Sequence, residues 1–169
     1  SVPQQKMNRD PETHLNKSFT FDSFVPGDSN RFARTVALAV AEGSGQDFNP
    51  LCIYGGSGLG KTHLLNAIGN YALVKDPGLK VRYVTSEEFT NDFIDALQNT
   101  NQSQGQIAEF NRRYRQVDVL LIDDIQFLGG KEATLDQFFH TFNSLHQANK
   151  RIVIASDVAP KNLKGFEAR

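Results

Sequence analysis

Eight consecutive residues, Gly55-Gly56-Ser57-Gly58-Leu59-Gly60-Lys61-Thr62, carry the densest chemistry in the sequence. They fit the spacing G-x-x-x-x-G-K-[ST]. They lie between an apolar run, Leu51 to Tyr54, and an amphipathic run from His63 to Val74. A strand feeding a glycine-rich loop that opens a helix is what a phosphate-binding loop requires. Glycines take positive φ and let the backbone approach an anion without a Cβ in the way. Successive N–H groups then form a concavity for the anion, and the helix N-terminus adds its positive dipole end. From such a position Lys61 reaches the β- and γ-phosphates of ATP, or the β-phosphate of ADP, and the Thr62 hydroxyl ligates Mg²⁺. The alternative is a glycine-rich turn between strand and helix that binds nothing.

A second constellation is Val119-Leu120-Leu121-Ile122-Asp123-Asp124, an apolar strand that ends in two acids. Asp123, at the carboxyl end of that strand, is suited to hold Mg²⁺ directly or through water. Asp124 is the candidate to polarise an attacking water. A solvated turn acid is the competing reading. The third is Ser156-Asp157, at the end of the next apolar strand. If the two strands are neighbours, Asp157 lies beside the metal acids and can orient the water or sense the γ-phosphate. The competing reading is a turn or helix cap.

These groups need elements to position them, and the sequence supplies an alternating series. Residues 1–17 are polar with two prolines and read as a linker or tail, leaving 18–169 as the folded core. Phe32, Val36 and Val40 share a helical stripe that Gly43 closes. Lys80 to Thr85 alternates as a strand. Thr85 and Glu88 have capping-box spacing before a helix with Phe89, Phe93 and Leu97 on one face. Asn99 to Gln106 reads as a polar loop. A short helix then carries Arg112, Arg113 and Arg115, which read best as its solvated face. Glu132 to Asn149 is a helix with Leu135, Phe138, Phe139, Phe142 and Leu145 toward the core, and Arg151 to Ala155 is a buried strand. Alternating strands and helices around a phosphate loop predict an α/β fold, a parallel, doubly wound sheet with helices on both faces.

Composition narrows the function classes. The chain has 169 residues and a net charge of −1, so no bulk basic field points to nucleic acid and any such contact is local. A single cysteine, Cys52, excludes an intrachain disulfide and a cysteine-based zinc cluster. It reads as a small core hydrophobe. No apolar run has membrane-spanning length, and the expected compartment is the cytoplasm.

The motifs together resemble the ATPase core of the bacterial replication initiators of the DnaA family, within the AAA+ class of P-loop NTPases. The resemblance runs from about Leu15 to Arg169. It rests on F-T-F-D-S-F-V-P-G-D-S-N from Phe19, N-P-L-C-I-Y-G-G-S-G-L-G-K-T-H-L-L from Asn49, V-D-V-L-L-I-D-D-I-Q-F-L-G-G-K-E from Val117 and F-F-H-T-F-N-S-L-H from Phe138. It implies Walker A at Gly55–Thr62, Walker B at Asp123-Asp124 and the sensor 1 acid at Asp157. It also implies an adenine pocket lined by the segment with Phe24 and Val25, and an initiator-specific helical insertion around Thr85–Leu97. In that family the insertion helps build an ATP-bound filament facing single-stranded DNA, with contacts at the positions of Ile94 and Lys131. The chain departs from the family at Ala133, where many relatives place an arginine, and Asn99–Gln106 is longer than in relatives. From the residues alone, Ile94 is equally a core position, and Lys131 reads first as a solvated loop lysine.

The resemblance implies a weak ATPase that acts as an assembly switch at the chromosome origin. Its expected partners are copies of itself, single-stranded DNA through this core, duplex origin DNA through a C-terminal domain outside it, and the replicative helicase. The last strand, the lid and the completing arginine are expected beyond Arg169, so this stretch alone should bind nucleotide weakly and turn over negligibly. An AAA+ helicase loader or, less favoured, a small-molecule P-loop kinase are the alternatives.

Overall fold

The structure, a computed structural model, describes residues 10–28, 30–43, 49–56, 60–98 and 103–159. Ser57, Gly58 and Leu59 of the phosphate loop and the expected loop positions 99–102 lie outside the described residues. The elements run α1 (Arg31–Glu42), β1 (Leu51–Tyr54), α2 (Lys61–Lys75), β2 (Val81–Thr85), α3 (Ser86–Gln98), α4 (Ser103–Arg115), β3 (Val119–Asp123), a 3₁₀ turn (Ile125–Leu128), α5 (Glu132–Gln147) and β4 (Arg151–Ser156).

The four strands form one parallel sheet in the order β1-β4-β3-β2. Strands β3 and β4 are central and almost wholly buried, which is why their sequences read as unbroken apolar runs. Alternate residues feed two cores. Val119, Leu121 and Val153 face α1 and α2, while Leu120, Ile122 and Ile152 face α3, α4 and α5. Helices therefore cover both faces, as the alternating pattern predicts. The register is pinned at the amino ends of the strands. The Asp118 carboxylate accepts from the Lys80 amide and the Lys150 ammonium, each at 2.9 Å. The Asn49 side chain bridges Lys150 O and the Ile152 amide.

Local signals explain the helix boundaries. The capping box is formed: Glu88 Oε1 accepts from the Thr85 amide at 2.9 Å, and the Glu88 amide donates to Thr85 Oγ1 at 3.1 Å. Gly43 ends α1 in the left-handed conformation, φ 85°, with its amide on Ala39 O and Val40 O. Gly69 lets α2 lie close on the sheet, because a Cβ there would meet Leu15 Cδ2 at 2.6 Å and Leu121 Cδ1 at 2.9 Å.

Four expectations need correction. The stretch 10–17 is no linker: Leu15 is buried in the α2 core, and Thr13 O accepts the Tyr83 amide on the free side of β2. The polar composition around Leu15 masks one deep anchor. Phe32 is 76% exposed, so the stripe of α1 is Val36, Ala37, Val40 and Ala41. Leu97 is half exposed and Ala96 takes its place facing the core. The polar stretch through Gln106 is loop only in part, since α4 starts at Ser103.

Candidate functional site

The carboxyl ends of β1, β4 and β3 lie side by side, and each delivers one part of the site. β1 runs into Gly55 and Gly56, β4 into Asp157 between them, and β3 into Asp123 and Asp124. This is the position at which open α/β sheets bind ligands. Gly55 N–H donates to Ser156 O at 3.2 Å, which ties the loop's start to β4. Gly55 and Gly60 take φ of 146° and 80°, a region L side chains rarely enter. Gly60 meets a second demand, since a Cβ there would lie 2.8 Å from Phe24 Cε1.

Lys61 opens α2 and is buried, with Nζ turned onto Gly55 O at 2.5 Å, Gly56 O at 3.0 Å and Asp157 Oδ1 at 3.6 Å. The ammonium thus sits inside the loop that it would share with a phosphate. Thr62 Oγ1 donates to Asp123 Oδ2 at 2.5 Å. Asp123 is 1% exposed, and its carboxylate accepts further bonds from the Tyr83 hydroxyl at 2.7 Å and the Asp124 amide at 3.0 Å. Asp124 adopts the left-handed conformation, φ 57°, as N-cap of the 3₁₀ turn, and Ser86 Oγ donates to its carbonyl at 2.6 Å. Burial first, then the negative charges of Asp123 and Asp157, push the Asp124 carboxyl above the ordinary aspartate value; a bond from Gln126 and the charge of Lys61 oppose this.

Gln126 joins the two acid-bearing strand ends. Its Nε2 donates to Asp157 Oδ2 at 3.2 Å and its Oε1 accepts the Asp157 amide at 3.1 Å. Asp157 is therefore held by a two-pronged amide contact. The oxygens of Thr62 and Asp123 form the small hard donor set that Mg²⁺ takes from protein while it keeps most of its water. The charges of Asp123 and Asp157 both act on Asp124, although among the described residues no three His, Cys, Asp or Glu side chains group to hold a metal by themselves.

The site unites Gly55, Gly56, Gly60, Lys61, Thr62, Asp123, Asp124 and Asp157, with Phe24 against its floor. Val25 is 81% exposed beside Phe24. Ile94 and Lys131 stand elsewhere, on α3 and at the N-cap of α5, across the sheet from α2. Ile94 is 39% exposed, which removes it from the core, and Lys131 is exposed. Arg112 pairs with Glu109 one turn earlier on the exposed face of α4. Sequence reasoning missed Tyr83 and Gln126. A tyrosine in a strand otherwise buried needs a partner for its hydroxyl, which was a readable signal. Gln126 offered none beyond its place two residues after the acid pair.

The sequence matches the family profile described as bacterial DnaA ATPase domain over residues 15–169. It is 71% identical over 164 residues to the chromosomal replication initiator protein DnaA of Bifidobacterium animalis subsp. lactis, covering 95% of this chain and 28% of that protein. The fold is similar to domain III of the Thermotoga maritima replication initiation protein DnaA, with TM-score 0.83 and 50% identity over 91% of this chain and 62% of that one. It is also similar to a replication initiator DnaA bound to AMPPCP and single-stranded DNA, with TM-score 0.80 and 43% identity over 89% of this chain and 45% of that one. The DnaC helicase loader, at TM-score 0.68 and 18% identity over 84% of this chain and 78% of that one, shares the fold alone.

Proposed function

The chain belongs to the bacterial DnaA ATPase domain family, and from that premise we propose that it is the ATP-binding core of a replication initiator whose assembly on the chromosome origin is controlled by the bound nucleotide. The observation that carries this reading is the meeting of Lys61, Thr62, Asp123 and Asp157 at three adjacent strand ends, closed by the 2.5 Å Thr62–Asp123 bond. The loop from Gly55 to Thr62 cradles the phosphates. Lys61 exchanges the Gly55 and Gly56 carbonyls for phosphate oxygens, a substitution of stronger acceptors for weaker ones. Thr62 and Asp123 would hold Mg²⁺, which supplies charge neutralisation at the phosphates when bound. Asp124 accepts a proton from the attacking water, as the acid of the pair that Thr62 and Tyr83 leave uncommitted. Asp157, fixed by Gln126 and within reach of Lys61, senses the γ-phosphate. Phe24 forms a wall of the base pocket, with Val25 at its rim.

Turnover is slow in this reading, and the nucleotide acts as a switch. In its ATP state the protein assembles on itself, and Ile94 and Lys131 face single-stranded DNA. That DNA role is supported by the similar initiator solved with AMPPCP and single-stranded DNA. Duplex origin DNA is engaged by parts outside this chain, which spans 28% of its Bifidobacterium relative, and the replicative helicase is a further partner. Calorimetry of Mg-ATP binding to the intact protein tests the site. Lys61→Ala should weaken binding by about tenfold or more, as expected for loss of a charge-assisted contact. Equal affinities would refute the assignment.

A further inference from the structure

The phosphate-loop helix does a second job along one stripe. His63, Asn66 and Asn70 recur at i, i+3 and i+7 of α2, so they share one face. That face holds the irregular segment 16–24. Asn66 Oδ1 accepts the Asn16 amide at 2.8 Å, while Asn66 Nδ2 donates to Thr62 O at 2.9 Å. Asn70 Nδ2 donates to both Asn16 O and Phe19 O at 2.9 Å. His63 Nε2 lies 2.7 Å from Thr20 O and 3.1 Å from Ser23 Oγ. A carbonyl only accepts, so Nε2 carries the proton. The His63 ring also stacks on Phe19 at 4.9 Å and meets Phe24 edge-on at 5.3 Å. Phe24 ends this segment, resting over Gly60.

From Asn16 to Phe24 the segment contains no helix or extended strand. Past the single bridge at Asn16, its height above the phosphate loop is set by these side chains, by the Arg34 guanidinium that donates to Phe21 O at 3.3 Å, and by packing, with no sheet ladder to fix it. The result ties two distances together, because phosphate cradle and base wall hang from one rigid helix. We propose that His63 and Asn70 are positioning residues for the purine base: they set Phe24 at a fixed offset from the phosphate loop, so that base and phosphates are bound in register. The proposal rests on the reading of Phe24 as a base-pocket wall. A clasp that merely stabilised the fold would affect every ligand alike. A positioning clasp affects only the ligand that has a base.

The experiment compares two probes on the intact protein, Mg-ATP and Mg-tripolyphosphate, by calorimetry. The parent should bind ATP more tightly than tripolyphosphate. Equal affinity in the parent would mean that the base adds nothing, and the base-pocket reading itself would fail. Given a parent preference, Asn70→Ala and His63→Leu should each weaken ATP by roughly fivefold, the loss of about one net hydrogen bond, with tripolyphosphate changed by less than about twofold. His63→Gln, which keeps an N–H donor, should recover part of the preference. An unchanged ATP-to-tripolyphosphate ratio in both variants, or equal losses for both probes, would overturn the proposal. If either α2 variant fails to fold, Ser23→Ala decides. Its hydroxyl is exposed and links His63 to Ser18 O. It should lower the same ratio, and a ratio equal to that of the parent would count against positioning.

Discussion

The two adjacent aspartates have different environments, in keeping with the different duties proposed for them. Asp123 accepts from Thr62, Tyr83 and the Asp124 amide. Asp124 is bonded mainly through its backbone, and its carboxyl is held above the ordinary value by burial. Asp124→Asn keeps the shape and removes the base, so in the intact protein ATP binding should stay within about twofold while turnover falls by about a hundredfold. Single-turnover hydrolysis read beside calorimetry checks both halves. Unchanged turnover would move the role to Asp157. For Asp123 the informative neighbour is Tyr83. Tyr83→Phe removes one donor from a buried carboxylate and should cost about 1–3 kcal/mol of stability, read as a lower urea midpoint at unchanged slope. An unaltered midpoint would mean that Asp123 needs no third donor.

At the scale of elements, the amino ends of the strands are held together by Asp118. Burial works against ionisation of its carboxyl, but the Lys80 amide and the Lys150 ammonium outweigh it and keep the pKa below the usual carboxylate value. An acid with a depressed native pKa stabilises the fold at pH above its unfolded value, and that contribution fades as pH falls through the native pKa. Asp118→Asn should therefore lower stability at pH 7 by about 1 kcal/mol, a figure kept small because solvent reaches the pair. The gap between parent and variant should close as pH drops below about 4. A gap that does not narrow at all as pH falls below about 4 would show that packing, and not charge, is responsible.

The legible parts of this architecture were those with local causes. The capping box at Thr85 and Glu88, the apolar runs of β3 and β4 and the glycine spacing before Lys61 each specify their own geometry. The start of α4 was hidden because serine, glutamine and glycine carry no amphipathic period. Leu15 was hidden because its anchor site is built by Gly69 and Leu121, far away in sequence. Gln126 was unreadable as a partner of Asp157 because 31 residues separate them and only the pairing of β3 with β4 brings them into contact.

For the whole molecule, the candidate nucleotide site lies at the carboxyl ends of β1, β4 and β3, whereas Ile94 and Lys131 stand on α3 and at the start of α5, in the helix layer across the sheet from α2. The slight net negative charge leaves no general attraction to DNA. Under the proposed function, single-strand binding depends on repeating a weak local contact along an assembly. In the intact protein, binding should require ATP, and Lys131→Ala should weaken it and lessen the slope of log affinity against log salt by about 1. Salt titrations with ATP and with ADP distinguish the cases. Equal binding in both nucleotide states would defeat the assembly mechanism, and an identical slope would clear Lys131.

The order β1-β4-β3 also works as a ruler. Neighbouring strands stand about 4.8 Å apart because a backbone hydrogen bond has that reach, so the backbones at the ends of β1 and β3 are separated by about 9–10 Å. The span allotted to a polyphosphate and its attacking water is thus calibrated by the peptide bond, which every residue shares. Single substitutions can change how tightly that interval is filled, but not its length, whereas a strand inserted between β1 and β3 would lengthen it.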